Sequence, residues 1–310
     1  MKSIKIIYKR VAKYVPLKLR ILIGPYIALL HYFWRVYIFT NTHKPRVLTS
    51  EKTLDLILKN KLSVIRFGDG ELSIINKQDL GFQKTDTTLA EKLINIFHES
   101  NRGLLICIPN FWGKLTNMSS RTFWFSIHHI LKYGDSWAKL ISNNTTYGDA
   151  LMTRPFTIYA NKIESAMLFK KLFLLWDNEE VVLIEGSKSR IGVGNNMFNN
   201  TKSIHRIICP AENAYSVYAN ILHAATKIAK NKLVLISLGP TAKILAYDLF
   251  LLGFRVIDIG HIDMEYEMFL RNSEHIVKVP YKYFNEINER DPDECTDPFY
   301  KSQIIAEINL

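Results

Sequence analysis

The first fifty residues contain no aspartate or glutamate, yet they hold Lys2, Lys5, Lys9, Arg10, Lys13, Lys18, Arg20, Arg35, Lys44 and Arg46. The remaining 260 residues carry 30 basic against 29 acidic side chains, so the net charge of +11 belongs almost entirely to this leader. A nucleic-acid enzyme would spread positive charge over its folded body, and this chain does not. Cysteine is scarce as well: Cys107, Cys209 and Cys295 lie far apart and form no C-x-x-C pair. That excludes a disulfide framework and a zinc cluster and points to a reducing compartment. Matches to N-x-S/T such as Asn117-Met-Ser119 and Asn199-Asn-Thr201 then read as chance. Low-complexity tracts and internal repeats are absent. What is present is an ordinary globular balance, 48% hydrophobic and 22% charged over 310 residues, enough to bury a core without metals or disulfides.

The leader, residues 1–45, continues into an apolar, aromatic run over residues 21–39. It is almost long enough to cross a bilayer, which takes about 20 apolar residues. His31 and Arg35 share a helical face, and an arginine in hydrocarbon is costly. Trp34, Tyr32 and Tyr37 are the aromatics of headgroup depth, and the basic flank favours anionic lipid. An interfacial helix on the inner face of the cell membrane therefore fits better than a span. The bland alternative is a pair of helices packed on the body with solvated lysines. No small-residue cleavage site follows, which argues against a signal peptide.

From residue 46 to 310 the pattern predicts one domain of alternating strands and helices. Leu62–Phe67, Leu104–Ile108, Val181–Glu185, Ile204–Cys209, Leu233–Leu238 and Arg255–Ile259 read as buried strands. Residues 88–100, 119–132, 163–176, 214–229 and 241–252 carry helical spacing. Such alternation predicts an α/β fold with a mostly parallel sheet and helices on both faces. Ligands in such folds sit beyond the carboxyl ends of the strands.

Those ends hold the chemistry. Arg66-Phe-Gly-Asp-Gly-Glu71 places Asp69 and Glu71 in a turn between Gly68 and Gly70, where two hard carboxylates can converge on Mg²⁺ or Mn²⁺. A solvated turn with a helix cap at Asp69 is the plain alternative. Gly186-Ser-Lys-Ser-Arg-Ile-Gly-Val-Gly-Asn195 is glycine-rich and carries Lys188, Arg190, Gly192, Gly194 and Asn195, which suits a phosphate cradle. It matches neither a Walker loop nor a G-x-G-x-x-G fingerprint. Gly239-Pro-Thr241 opens a helix with free amides, a second anion site. Arg154, before Pro155, serves a phosphate or an ion pair. His261, Asp263, Glu265 and Glu267 crowd one strand end, where an imidazole or carboxylate could deprotonate an acceptor hydroxyl. An acid-rich first helical turn would look the same. The aromatics around Phe111-Trp112 and Phe123–Phe125 suit core packing more than base stacking.

Taken together, RFGDGEL (66–72), TRPF (153–156), IEGSKSRIGVGN (184–195), LGPTAKILAYDL (238–249) and DIGHIDMEYE (258–267) resemble the GT-D-type glycosyltransferases, in the family's order. The resemblance spans roughly residues 60–270 and leaves out the leader. It implies a Rossmann-like fold, Mn²⁺ or Mg²⁺ at Asp69 and Glu71, and a UDP-sugar donor. It implies a glycan, lipid-linked or glycoprotein acceptor in bacterial surface polysaccharide or adhesin synthesis. The family's strand-end histidine and glutamate map onto His261 and onto Glu265 or Glu267, a choice the sequence leaves open. The competing classes are a nucleotide-sugar-binding protein without turnover and a membrane-associated scaffold. A methyltransferase is remoter, because paired acids and cationic loops do not serve a cationic, metal-free cofactor.

Overall fold

The structure, a computed structural model, describes residues 16–42, 45–112, 118–273, 275–284 and 291–310. The first fifteen residues of the basic leader, with Lys44 and Asn117, lie outside the described residues, as do the side chains of Lys18 and Arg20. In chain order the first half forms α1 (Leu17–Thr42), β1 (Arg46–Val47), α2 (Ser50–Asn60), β2 (Ser63–Arg66), α3 (Asp69–Ile75), α4 (Thr87–Phe97), β3 (Leu104–Ile108), α5 (Ser120–Leu140) and β4 (Thr146–Asp149). Then come α6 (Pro155–Ile158), α7 (Lys162–Phe173), β5 (Glu180–Gly186), β6 (Ser203–Cys209) and α8 (Tyr218–Thr226). The chain closes with β7 (Leu233–Ser237), α9 (Thr241–Leu251), β8 (Arg255–Asp258), α10 (Ile262–Leu270), α11 (Pro298–Ser302) and β9 (Ile304–Glu307).

The nine strands make one sheet in the order β1-β4-β3-β2-β8-β7-β5-β6-β9, and every pairing is parallel. The six expected strands are all present. The short edge strands β1 and β9 and the polar strand β4 carry too little apolar pattern to be read beforehand. Successive side chains point to opposite faces of a strand, so a parallel sheet covered on both sides needs apolar residues at every position. Ile65, Ile106, Val182, Val234 and Val256 feed one core, while Val64, Leu105, Val181, Leu235 and Ile257 feed the other. Helices α4, α5, α8 and α9 cover the first core. Helices α2, α7 and α10 cover the second. Cys107, Cys209 and Cys295 are free and buried inside this body.

The leader's apolar segment forms α1, which runs through Pro25 and packs along α5. Tyr32 and Arg35 face the body: the Tyr32 hydroxyl donates to Phe111 O at 2.9 Å, and Arg35 reaches Ile130 O, Leu131 O and the Asp135 carboxylate at 3.0–3.1 Å. The arginine that looked costly for a membrane helix therefore lies on the protein side. No described helix is long and apolar enough to cross a membrane.

Candidate active site

Between β2 and β8 the chain switches from building one half of the sheet to building the other. A cleft of about 540 Å³ opens there. It is lined at or just past the carboxyl ends of seven neighbouring strands, by Phe67, Pro109, Ala150, Gly186, Pro210, Leu238 and Asp258. This is where an open α/β sheet offers a crevice.

A chain of buried charges forms its floor. Arg66 donates from Nε to Asp258 O at 2.8 Å, pairs with Asp258 Oδ1 at 3.2 Å, and bonds Thr153 Oγ1 at 2.6 Å. The guanidinium crosses so close to Gly260, at φ +48°, that a Cβ there would stand 1.9 Å from an Arg66 nitrogen. Only glycine fits. Lys243, from the first turn of α9, places Nζ 3.1 Å from Asp258 Oδ2 and 2.9 Å from Glu71 Oε1. Burial alone would raise the Asp258 pKa, but Arg66 and Lys243 outweigh it and hold the carboxyl below its ordinary value. Burial would likewise lower Lys243, and Asp258 with Glu71 carries it above its usual value instead. Neither Lys243 nor Asp258 stood out in sequence as a site residue. An acid closing a β-branched strand was the available signal.

The D-x-E motif expected to hold a metal opens α3. Glu71 Oε2 accepts the Gly68 N–H at 2.8 Å, the return half of a capping box, and its other oxygen faces Lys243. Asp69, the first residue of α3, stands exposed at the cleft with no hydrogen bond or ion pair among the described residues. The described residues bring together no three His, Cys, Asp or Glu side chains fit to hold a metal. Of the two expected metal ligands, Asp69 is the carboxylate open to the cleft, and Glu71 stands behind it, engaged with Gly68 and Lys243.

The other expected site residues divide. Gly68, Gly70, Arg154, Gly239 and His261 line the cleft with Arg66. Gly239 has φ +53°, and a Cβ there would press on the Phe82 ring at 2.7 Å. Thr241 lies fully buried behind the lining, 3.4 Å from Gln83 Oε1. The glycine-rich loop, expected as a phosphate cradle, lies mostly beside the cleft. Only its start, Gly186 and Ser189, reaches the cleft. Lys188 pairs with Asp291, and Arg190 donates to Tyr281 O and Asp293 O at 2.6 Å, so both cations tie down the acidic C-terminal segment. Gly192 N donates to Asp263 at 2.9 Å, and Asn195 bridges Asp263 and Glu267 at 2.9 and 2.8 Å. Gly194, at φ +75°, shapes the same turn.

The two glutamates offered with His261 also sit away from the cleft lining. Glu265 is fully buried, where its carboxylate takes Thr157 N at 2.7 Å and the Thr157 hydroxyl, with Arg154 at 3.8 Å. Glu267 holds Asn195 and Lys282, each at 2.8 Å. Burial pushes the Glu267 pKa up, and Lys282 pulls it back below the usual carboxylate value. His261 alone of the three faces the cavity, at the N-cap of α10.

Helix α5 supplies a wall made of Arg121, Thr122, Phe125 and His129; the sequence had singled out only Phe125, as a core aromatic, and it is instead 48% exposed at the cleft. His129 is buried, and its Nε2 accepts the Trp137 indole N–H at 2.8 Å. Indole can only donate, so the imidazole proton resides on Nδ1, which has no hydrogen-bond partner among the described residues. Burial lowers the His129 pKa to about 4, against an opposing pull from Asp69.

Comparison with known proteins agrees with this architecture. The family model described as the glycosyltransferase GT-D fold matches residues 64–287. A probable glycosyl transferase Gly of Streptococcus gordonii is 39% identical over 268 residues, covering 84% of this chain and 39% of that protein. The glycosyltransferase GlyD of Streptococcus pneumoniae serotype 4 is 35% identical over 260 residues, covering 83% and 32%. The chain thus spans under two-fifths of the length of these curated relatives. A solved domain of unknown function 1792, described as a distinct glycosyltransferase fold, superposes with a TM-score of 0.83 at 33% identity, over 90% of this chain and all of that one. A glycosyltransferase of the same domain type from Streptococcus sanguinis gives 0.80 at 37% identity, over 86% of this chain and all of that one. The chain belongs to the GT-D glycosyltransferase family.

Proposed function

We propose that this glycosyltransferase moves a sugar from a UDP-sugar to a glycan, lipid-linked or glycoprotein acceptor in bacterial surface polysaccharide or glycoprotein synthesis. The observation that carries the reading is Asp69, an exposed carboxylate without a hydrogen-bond or ion-pair partner among the described residues, at the switch-point cleft. Asp69, with Glu71 behind it, would hold Mn²⁺ or Mg²⁺, which neutralises charge on the departing diphosphate. Glu71 in turn is oriented by Lys243 and Gly68. The acceptor hydroxyl meets His261, the member of the strand-end cluster that lines the cleft, as general base. Glu265 supports the base of the α5 wall by gripping Thr157, and Glu267 locks the 190s loop through Asn195. The exposed apolar face of α1 and the basic leader support a peripheral site of action on the inner membrane face, against anionic lipid.

The test is a panel of nucleotide sugars, UDP-glucose included, offered to the purified chain with and without Mn²⁺, reading released nucleotide. Turnover on UDP-sugars that collapses in EDTA and in Asp69→Asn is the expected result. Turnover indifferent to chelation removes the metal from the reading, and no turnover with tight UDP binding makes the chain a binding module.

A further inference from the structure

The charges lining the cleft can be paired off. Arg66 is matched with Asp258, Lys243 with Glu71 and Asp258, and Arg154 with Glu265 outside the lining. Two side chains remain without an ionic partner among the described residues, Asp69 and Arg121. Asp69 already has a role in the proposed chemistry. Arg121 has none, and nothing in the sequence singled it out.

Its placement is unusual on electrostatic grounds. Arg121 is the second residue of α5, just after the Ser119 cap, where the helix dipole and unpaired N–H groups favour an anion and disfavour a cation. An unpaired, exposed arginine there is mildly unfavourable until an anion arrives, and then guanidinium and helix end attract it together. The backbone beneath is firmly held. Ser119 and Thr122 hydroxyls donate to Thr157 O at 2.6 and 2.8 Å, and Thr157 is itself gripped by buried Glu265. Arg121, Phe125 and His129 recur at a spacing of four, so they share one helical face, and all three line the cleft. At the inner end of this face the His129 ring, 3% exposed, carries the unpartnered Nδ1–H. The wall therefore offers a forked cation at the mouth, an aromatic plate, and a neutral donor deep inside.

We propose that Arg121 binds a phosphate group of the reaction, while Lys188 and Arg190 of the glycine-rich loop are engaged with Asp291 and with the Tyr281 and Asp293 carbonyls. A guanidinium fork matches two phosphate oxygens, and the cleft holds no other cation unclaimed by a carboxylate among the described residues. The phosphate is that of the nucleotide donor or that of a phosphate-bearing acceptor. The inference rests on the glycosyltransferase reading for its ligand, but its first test does not.

Arg121→Gln and Arg121→Lys are compared with the wild type by calorimetry with UDP and with pyrophosphate, each with Mn²⁺, and by steady-state transfer at varied acceptor. Loss of a charged hydrogen-bond pair predicts roughly tenfold or greater weakening in the glutamine variant, partly recovered by lysine. The melting temperature stays unchanged because the side chain is exposed. Weakened UDP and pyrophosphate binding assigns the donor phosphate. Unchanged binding of both, with a tenfold higher acceptor KM, assigns the acceptor phosphate. Unchanged values throughout overturn the proposal. Whether the wild type turns over any UDP-sugar is read separately, so failure of the enzyme reading and failure of Arg121 are distinguishable.

Discussion

The Lys243 ammonium lies 2.9 Å from Glu71 Oε1, on a carboxylate whose other oxygen already takes the Gly68 N–H. The two acids of the D-x-E motif are therefore unequal: Asp69 is exposed and unpaired among the described residues, while Glu71 is buried in an ion pair with Lys243. Asp69→Asn should remove several kcal/mol of transition-state stabilisation while shifting folding stability by no more than about 0.5 kcal/mol. Glu71→Gln should lose activity and also about 3 kcal/mol of stability, because Lys243 is left partly uncompensated in a buried site. Activity assays and denaturant titrations of both variants check this. Equal stability losses would mean the inequality is not real in solution.

Lys188→Ala and Arg190→Ala should leave UDP affinity untouched. Arg190 bonds two backbone carbonyls of the C-terminal segment, so its loss should cost about 1–3 kcal/mol. The Lys188–Asp291 pair is exposed on the aspartate side and worth less than about 1 kcal/mol. Calorimetry against UDP decides between a structural and a phosphate-binding loop, and hydrogen exchange over residues 275–284 reports the loosening.

Glycines with cations after a strand satisfy a phosphate-cradle pattern, but a pattern in one segment does not show what a distant segment brings. Asp291 and Asp293 lie about a hundred positions further on, and only the fold carries them to Lys188 and Arg190. The six central strands were legible because a sheet buried on both faces demands continuous apolar runs. Gly68, Asp69, Gly70, Gly239 and His261 were legible because strand ends in such sheets face the crevice. Arg121 and His129 were not, since a helix face four residues apart acquires meaning only once its neighbours are known. Lys243 hid inside an apolar helix for the same reason.

Asp258 makes the cleft floor acid-sensitive. Its folded pKa lies below the unfolded value of about 3.9, so its contribution is complete above that pH and is lost as pH falls through the folded value. Asp258→Asn should therefore destabilise the protein by roughly 3–5 kcal/mol at neutral pH, because Arg66 and Lys243 lose their shared counter-charge. The gap between variant and wild type should narrow below about pH 4. Thermal melts across pH 3–8 measure the difference, and a gap that widens in acid would refute the pairing.

His129, with a pKa near 4, is neutral throughout the range in which the enzyme would be assayed. His129→Gln keeps hydrogen-bonding capacity but loses the ring, so activity should fall while the pH–rate profile keeps its shape. A profile whose acidic limb disappears in the variant would make His129 the titrating base in place of His261.

The leader yields the last prediction. On α1, Leu19, Leu22, Tyr26, Ile27, Leu30, Phe33, Trp34, Tyr37 and Ile38 are exposed, while Tyr32 and Arg35 are buried against α5. Deleting residues 1–45 would uncover the cluster of Phe111, Ile127 and Ile130, so truncation confuses anchoring with folding. Charging the outer face separates them. Leu30 is 71% exposed and Trp34 52%, so Leu30→Glu with Trp34→Glu should leave the melting temperature and soluble-donor hydrolysis unchanged. On anionic vesicles each lost apolar contact removes up to about 1.5–3 kcal/mol, while the basic residues contribute about 1 kcal/mol apiece near the surface. The double variant should therefore sediment far less with anionic vesicles than the wild type. Salt alone should weaken the wild type only in part, because screening leaves apolar burial intact. If the double variant sediments as well as the wild type, this face does not meet the bilayer. If it instead shifts from dimer to monomer on gel filtration, the face is covered by a second copy.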